Sequence, residues 1–345
     1  MVLTLAAAIF VLGILVLVHE LGHFVTAKMT GMRVDEFSIG FGPVLASMVF
    51  GETLYSLRCI PLGGYNSIAG MLPEENDAGV RGFCERPILS RMIVMLAGAA
   101  MNLILPIVIF FGIYATVGVT TVSPEPVFGK VMEGQPAAEA GLLAGDRVLA
   151  VDGREVTSWT EFTRLVAAAS GSPVTLNIAR GGEQLTATMT PRYNAEEKRM
   201  LIGVTSATVR KHPGPVEAAG LAVQQTGNII HRMLDNLYRV LLELSGQDLA
   251  GPIGVAQMAG QVAERGLIPL LNFMAFLSLN LGIVNLIPIP ALDGGRVVVL
   301  FVEAVRGEPL GTRSLAYLQY VGVAFLLLLM ILATKNDVVR VFLGG

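Results

Sequence analysis

The sequence predicts a polytopic α-helical membrane protein with four transmembrane helices, a membrane-associated β-hairpin region and one inserted β-rich domain. Three observations predict it. Of 345 residues, 53% are hydrophobic and only 15% charged, against about 25% charged in an ordinary soluble domain. Four windows hold no charge at all: residues 1–18, 92–124, 266–292 and 314–334. Between the second and third windows lies a long polar stretch with strand-like alternation. A bilayer takes about 20 apolar residues of helix, so every window can span, provided the first runs on to about Thr26.

Residues 1–27 form the first predicted span. A cleaved signal peptide carries a basic n-region and a small-residue cleavage site. Here no Lys or Arg precedes Lys28, and the run ends in HELGH; a retained helix is expected. Residues 28–91 form a loop with β character: "ETLYSLRCIPLGGY" is rich in β-branched and aromatic residues, and Gly40, Gly42, Pro43 and Gly51 punctuate the stretch before it. This predicts a hairpin lying against the membrane. The second span is expected over 92–118. Residues 125–191 read as a small β-rich domain. In "SPVTLNIARGGEQLTATMTP", Val174, Leu176 and Ile178 alternate, as do Leu185, Ala187 and Met189, across a Gly-Gly turn. "SWTEFTRLVAAAS" adds a helix with Ser158 as its N-cap. Residues 192–265 are expected as a helical segment, with helix after Pro215 to about Leu244 and again after "GPIG" at 251–254. The third span, 266–306, must break at Pro288 and Pro290, and the fourth runs over 314–334.

Orientation follows from basic residues near the span ends. Lys28, Arg33, Arg58, Arg81, Arg86 and Arg91 lie between spans one and two, whereas the N-terminus has none. The first loop is therefore expected in the cytoplasm, with the N-terminus and residues 125–265 outside. Arg306 and Arg313 agree, while Lys335 and Arg340 pull the other way. The net charge of −3 is spread along the chain, so no nucleic-acid partner is expected. Cys59 and Cys84 read as free thiols, and His212 and His231 as solvated or packing residues.

HELGH, His19 to His23, carries the chemistry. Residues four apart share a helix face, and H-E-x-x-H on a helix is a zinc-metalloprotease signature. Two imidazoles can hold zinc, and Glu20 can take a proton from water and return it to a leaving amine. The plain alternative is a polar cluster reaching the headgroups. Against it, two of only four histidines fall in this spacing, and ionisable groups in a span point to function. Catalytic zinc takes three protein ligands. Spans one and three run in the same direction, so their late residues share a depth. Asp293 is the first charge after the window 266–292, in "NLIPIPALDGG". Broken backbone there can carry its carboxylate to the two histidines; an interfacial Asp-Gly turn is the alternative.

HELGH, "FSIGFGP", "IPLGGY", "GAAMN" and "NLIPIPALDGG" occur in one order over nearly the whole chain. In these the chain resembles the site-2 protease family of intramembrane zinc metalloproteases, especially the bacterial regulator-of-sigma-E protease group. The resemblance implies that His19, His23 and Asp293 ligate zinc and that Glu20 is the catalytic base. It also implies substrate contacts at Asn285, Asn102, Pro288 and Pro290, although Asn102 could equally serve helix packing and Asn285 could merely bridge helices. Through "AAEAGLLAGDRVLAVDG" the β-rich domain resembles a PDZ domain. No second "AGDxVxxVDG" follows between Tyr193 and Arg265, so a single PDZ-like domain is expected. The implied setting is the inner membrane of a bacterium, with the active site toward the cytoplasm. The implied substrate is a single-span membrane protein already trimmed by another protease, such as an anti-sigma factor. "GPIG" and the helix after it are expected near the substrate entrance, with the PDZ-like domain gating access. A helical substrate must unwind before hydrolysis; an extended chain can then pair with a sheet edge, here expected at residues 50–65, with Asn285 as a clamp. Two rivals are a PDZ-bearing membrane scaffold with a vestigial metal site, and a membrane-anchored zincin that cuts soluble chains. The latter lacks a nearby third ligand, since Glu36 lies in the β region.

Overall fold

The first helix of the computed structural model, α1 (Val2–Met29), stops where its sequence says it must. Gly31 takes φ 75°, while its N–H donates to the Lys28 carbonyl and the Met32 N–H to that of Ala27. This is a Schellman cap, which needs a left-handed residue at that position. The structure describes residues 2–71, 81–194, 199–243 and 251–342. They divide into two compact units, residues 1–113 with 215–345, and residues 114–214.

In the first unit, β1 (Val34–Phe50) and β2 (Thr53–Ile68) fold as more than a simple hairpin. Residues 36–39 pair on one side with 64–67 and on the other with 54–57, while 46–50 pair with 53–57. The spatial order is thus 64–68, 34–39, 53–57, 44–50. This corrects the expected docking edge at residues 50–65, because Leu54 to Leu57 are paired on both flanks. Among the described residues, the free edges are 44–50 and 64–68. Propensity locates strands but not their order, which depends on the bends at Gly40 (φ 90°) and Gly42 (φ 82°). The outer arm exposes Val44, Leu45, Met48, Val49 and Phe50, a surface suited to lipid rather than water.

Next comes α2 (Ile88–Thr116), which starts four residues before the expected second span because Arg91 is buried and paired rather than interfacial. After the second unit, the first resumes with α5 (Pro215–Glu243), α6 (Pro252–Glu264), α7 (Leu267–Leu286), α8 (Asp293–Arg306) and α9 (Thr312–Phe342). Expected helix at Leu244, and the residues just before GPIG, lie outside the described residues. The chain leaves α7 at Leu286 and re-enters helix at Asp293. Among the described residues, α1, α2, α7 and residues 312–339 are long and apolar enough to cross a membrane. The fourth helix runs past 334 because Asp337 is buried, accepting from the Gly251 and Gly254 N–H groups that open α6. Apolar helices gain little from burial against one another in lipid, so small residues set their packing. A Cβ on Gly22 would lie 2.5 Å from the Ala97 carbonyl oxygen, and one on Gly260 2.5 Å from Thr4 Oγ1.

The second unit holds β3 (Val119–Val122), β4 (Phe128–Val131), α3 (Pro136–Glu139), β5 (Arg147–Val151), β6 (Arg154–Glu155), α4 (Trp159–Ala168), β7 (Val174–Arg180), β8 (Glu183–Met189), β9 (Arg192–Asn194), β10 (Arg199–Leu201), β11 (Val204–Ser206) and β12 (Thr208–Lys211). Val174 faces Met189, Leu176 faces Ala187 and Ile178 faces Leu185, the register the alternation predicts. Val174, Leu176 and Ile178 are fully buried around Phe128 and Phe162, each contributing about 1.5–3 kcal/mol. Ser158 caps α4, accepting from the Glu161 N–H at 3.2 Å. The unit is longer than the expected 125–191, because the strands β9 to β12 follow in what was expected to be part of a helical segment. β12 pairs with β3, and β11 with β4. Strands of three or four residues are too short to show alternation, and their partners lie some eighty residues away.

Candidate metal centre

One turn of α1 brings the two imidazoles together, with His19 Nε2 and His23 Nε2 3.2 Å apart. Asp293 Oδ2 lies 3.3 Å from the first and 3.4 Å from the second. Among the described residues, this is the one group of three His, Cys, Asp or Glu side chains able to share a metal ion. Donors held tetrahedrally at about 2.0–2.1 Å from zinc stand about 3.3–3.4 Å from each other. The observed triangle has that size.

The supporting contacts orient the lone pairs inward. His23 Nδ1 lies 2.7 Å from the Val94 carbonyl oxygen, so Nδ1 carries the proton and Nε2 is free to ligate. His19 Nδ1 lies 3.2 Å from the Asn102 amide, whose oxygen has no partner and whose side chain is completely buried. Amide N and O are interchangeable assignments; turning the amide lets Oδ1 accept from His19 Nδ1 and leaves His19 Nε2 for the metal. Asp293 Oδ2 is likewise buried without a hydrogen-bond partner among the described residues. Two imidazole lone pairs and a carboxylate oxygen converge on one point with no N–H between them. Zinc, a cation suited to nitrogen and oxygen donors, fits that arrangement.

The backbone explains how these residues meet. A Cβ on Gly98 of α2 would fall on His23 Nε2 and 2.7 Å from His19 Cε1. Asp293 arrives because α7 ends in extended backbone at Ile287, the Ile289 N–H turns back to the Ile287 carbonyl across Pro288, and Ala291 turns with φ 80°. Gly294 and Gly295 let α8 fold back against that chain. A Cβ on the first would stand 2.5 Å from the Leu286 and Ile287 carbonyl oxygens, and one on the second would strike the Ile289 carbonyl.

Glu20 faces the β-sheet. Asn66 Nδ2 donates to Glu20 Oε2 at 2.7 Å and to the Glu20 backbone oxygen at 2.6 Å. Sequence reasoning missed Asn66. Its signal is a polar residue at the inward position between Gly64 and Ile68, visible only once the sheet is known to lie on α1.

The structure therefore gathers His19, His23, Asp293, Glu20 and Asn102. Asn102 has no exposed surface, and its amide lies 3.2 Å from His19 Nδ1. Asn285 is buried in the last turn of α7, Pro288 is exposed in the break, and Pro290 packs its carbonyl against Gly322 of α9. Cys59 and Cys84 are exposed free thiols.

The family model for peptidase family M50 matches residues 7–329. A protein of Clostridium acetobutylicum described as a zinc metalloprotease is 34% identical over 333 residues, covering 96% of each chain. The regulator of sigma-W protease RasP of Bacillus subtilis is 32% identical and covers 99% of both chains. The zinc metalloprotease RasP of Bacillus licheniformis is 33% identical, covering 99% of this chain and 100% of its own. Among solved structures, the PDZ domain of an SdrC-like protein from Listeria monocytogenes is 25% identical, covering 26% of this chain and 93% of its own, with a TM-score of 0.23.

Proposed function

The chain belongs to peptidase family M50, and from that premise we propose that His19, His23 and Asp293 hold the zinc and that Glu20 is the catalytic base. The protein is a zinc-dependent metalloprotease of the membrane, a multi-pass protein with a PDZ-like domain. Bound zinc supplies a Lewis acid that polarises the scissile carbonyl and acidifies the attacking water.

Glu20 accepts the proton of that water and later delivers it to the leaving amine. The Val94 carbonyl and Asn102 hold the imidazoles in the ligating tautomer. The unwound chain between α7 and α8 borders the site with backbone that a wet cavity can satisfy. A substrate strand opened from its helix pairs with the free edge at 64–68, the edge beside Glu20, and Asn285 helps to hold it. The substrate is a single-span membrane protein already shortened by another protease, of the anti-sigma-factor kind. The basic first loop puts the metal centre toward the cytoplasm and the PDZ-like domain outside, where it limits the bulk of what enters. The observation that carries the reading is the triangle of 3.2, 3.3 and 3.4 Å among the three ligand atoms. A scaffold with a vestigial site has no reason to keep it.

Zinc per protein, measured by elemental analysis beside cleavage of tagged single-span substrates, tests the assignment. Glu20→Gln should retain zinc and lose cleavage by about two to four orders of magnitude. Asp293→Ala should lose zinc as well. Full cleavage by Glu20→Gln would end the mechanism, and unchanged zinc in Asp293→Ala would remove the third ligand.

A further inference from the structure

Residues 64–68 lie along α1 with alternate side chains toward it. A Cβ on Gly64 would stand 3.5 Å from Glu20 Cγ, Asn66 donates twice to Glu20, and Ile68 is buried with Ala27. Strand and helix are thus in register over two turns of α1, and Glu20 sits where the strand comes closest because Gly64 has no side chain. Phe24 strengthens the seam, its ring 5.0 Å from Phe37 and 5.8 Å from Tyr55.

We propose that Asn66 is a positioning residue for the catalytic base, fixing the Glu20 carboxylate and tying it to the sheet edge on which substrate is to be laid. The inference rests on the assignment of Glu20 as base. Both Asn66 N–H donors are spent on Glu20, one on Oε2 and one on its main-chain oxygen. The alternative amide orientation would set Oδ1 against two oxygens, so the observed one is dictated. Its consequence is a buried Oδ1 without a partner among the described residues. An unpaired buried acceptor is unfavourable, and an apolar side chain of the same size would avoid it. A residue present only to pack the sheet on α1 would not be an asparagine with one end unsatisfied. With Oε2 held, the carboxylate loses its freedom to rotate, and Oε1 is the oxygen left to exchange protons. The same amide makes the distance between sheet edge and base a fixed quantity. A peptide docked on 64–68 therefore meets the base at a set offset.

The test uses the full-length enzyme in lipid–detergent micelles, with a tagged single-span peptide that the parent cleaves. Asn66→Leu removes both donors and the unpaired acceptor while keeping the branching and the number of heavy atoms. Expected are a kcat about ten- to a hundredfold lower, a KM within about twofold and parental zinc content. Asn66→Asp, which keeps the shape but sets carboxylate oxygens against the two Glu20 oxygens, should lose kcat at least as far. Asn66→Gln, which restores a donor, should recover part of kcat. Parental kcat in both Asn66→Leu and Asn66→Asp overturns the proposal, as does a loss confined to KM or accompanied by loss of zinc. Glu20→Gln is run in parallel. If it is inactive while the Asn66 variants are not, only the positioning role fails; if it is active, the base assignment itself has failed.

Discussion

At the scale of single residues the centre depends as much on what is missing as on what is present. Gly98 has no side chain, and both imidazoles occupy the space beside its Cα. Gly98→Ala forces a methyl group into them, an overpacking worth about 1–3 kcal/mol. Zinc should then be held about tenfold less tightly, measured by competition with a chelator of known affinity. Gly112→Ala in the same helix is the control, since a Cβ there meets nothing within 4 Å. Equal zinc retention in the two variants would show that the histidines do not need α2 at this distance. The three side chains that the structure brings together, His19, His23 and Asp293, were legible in the sequence as candidate ligands. HELGH puts two histidines on one face by helical period alone, and the prolines before Asp293 announce the break that delivers the third. Asn66 and the partnership of Asn102 with His19 were not legible. Each depends on which segment of a distant element lies alongside, and local periodicity carries no such information.

Among the elements, α8 is held at both ends. Asp293 opens it at the metal centre, and Glu303 near its other end receives Arg91 of α2 at 3.0 Å, both side chains being buried. Glu303 also accepts from the Leu310 N–H at 3.0 Å, fixing the turn after the helix. Removing one partner of a buried ion pair leaves the other charge uncompensated and costs about 3–5 kcal/mol. Glu303→Ala should therefore lower the thermal midpoint in detergent clearly, while Glu303→Leu with Arg91→Met should regain most of the loss. If the double variant is as unstable as the single, the helices are joined by something other than this pair. The same pair explains why the second helix begins earlier than the hydropathy window, for a charge was read as an end when it is an internal tie. The four apolar helices were readable from composition. The order of the sheet segments was not, because one sequence pattern is compatible with several strand pairings until the bends at Gly40 and Gly42 are known.

For the molecule as a whole, the decisive feature is how the second unit is connected. The chain enters it through β3 and leaves through β12, and these two strands pair directly, with Val119 opposite Lys211. Facing residues of an antiparallel pair lie about 5 Å apart, so residues 119–211 can be removed and the gap closed by a bridge of two or three glycines. A narrower cut at 127–191 would remove β4 and leave β11 without its partner, while β3 and β12 stayed paired with the core beneath them gone, and should give an unstable protein. With the whole unit excised, zinc content should stay at the parental level, because every ligand belongs to the other unit. Cleavage of a short, pre-trimmed single-span substrate should remain within about threefold of the parent. Cleavage of the same substrate with its full external portion, which the intact enzyme is expected to reject, should now appear. Both are read as product formed at matched enzyme concentration in proteoliposomes. A scaffold would behave in the opposite way, losing function with the unit and remaining indifferent to Glu20→Gln. If the excised enzyme is folded and zinc-loaded yet discriminates trimmed from untrimmed substrate as sharply as the parent, the PDZ-like unit is not the filter. Selection must then lie in the membrane unit, at the sheet edge and the α7–α8 break.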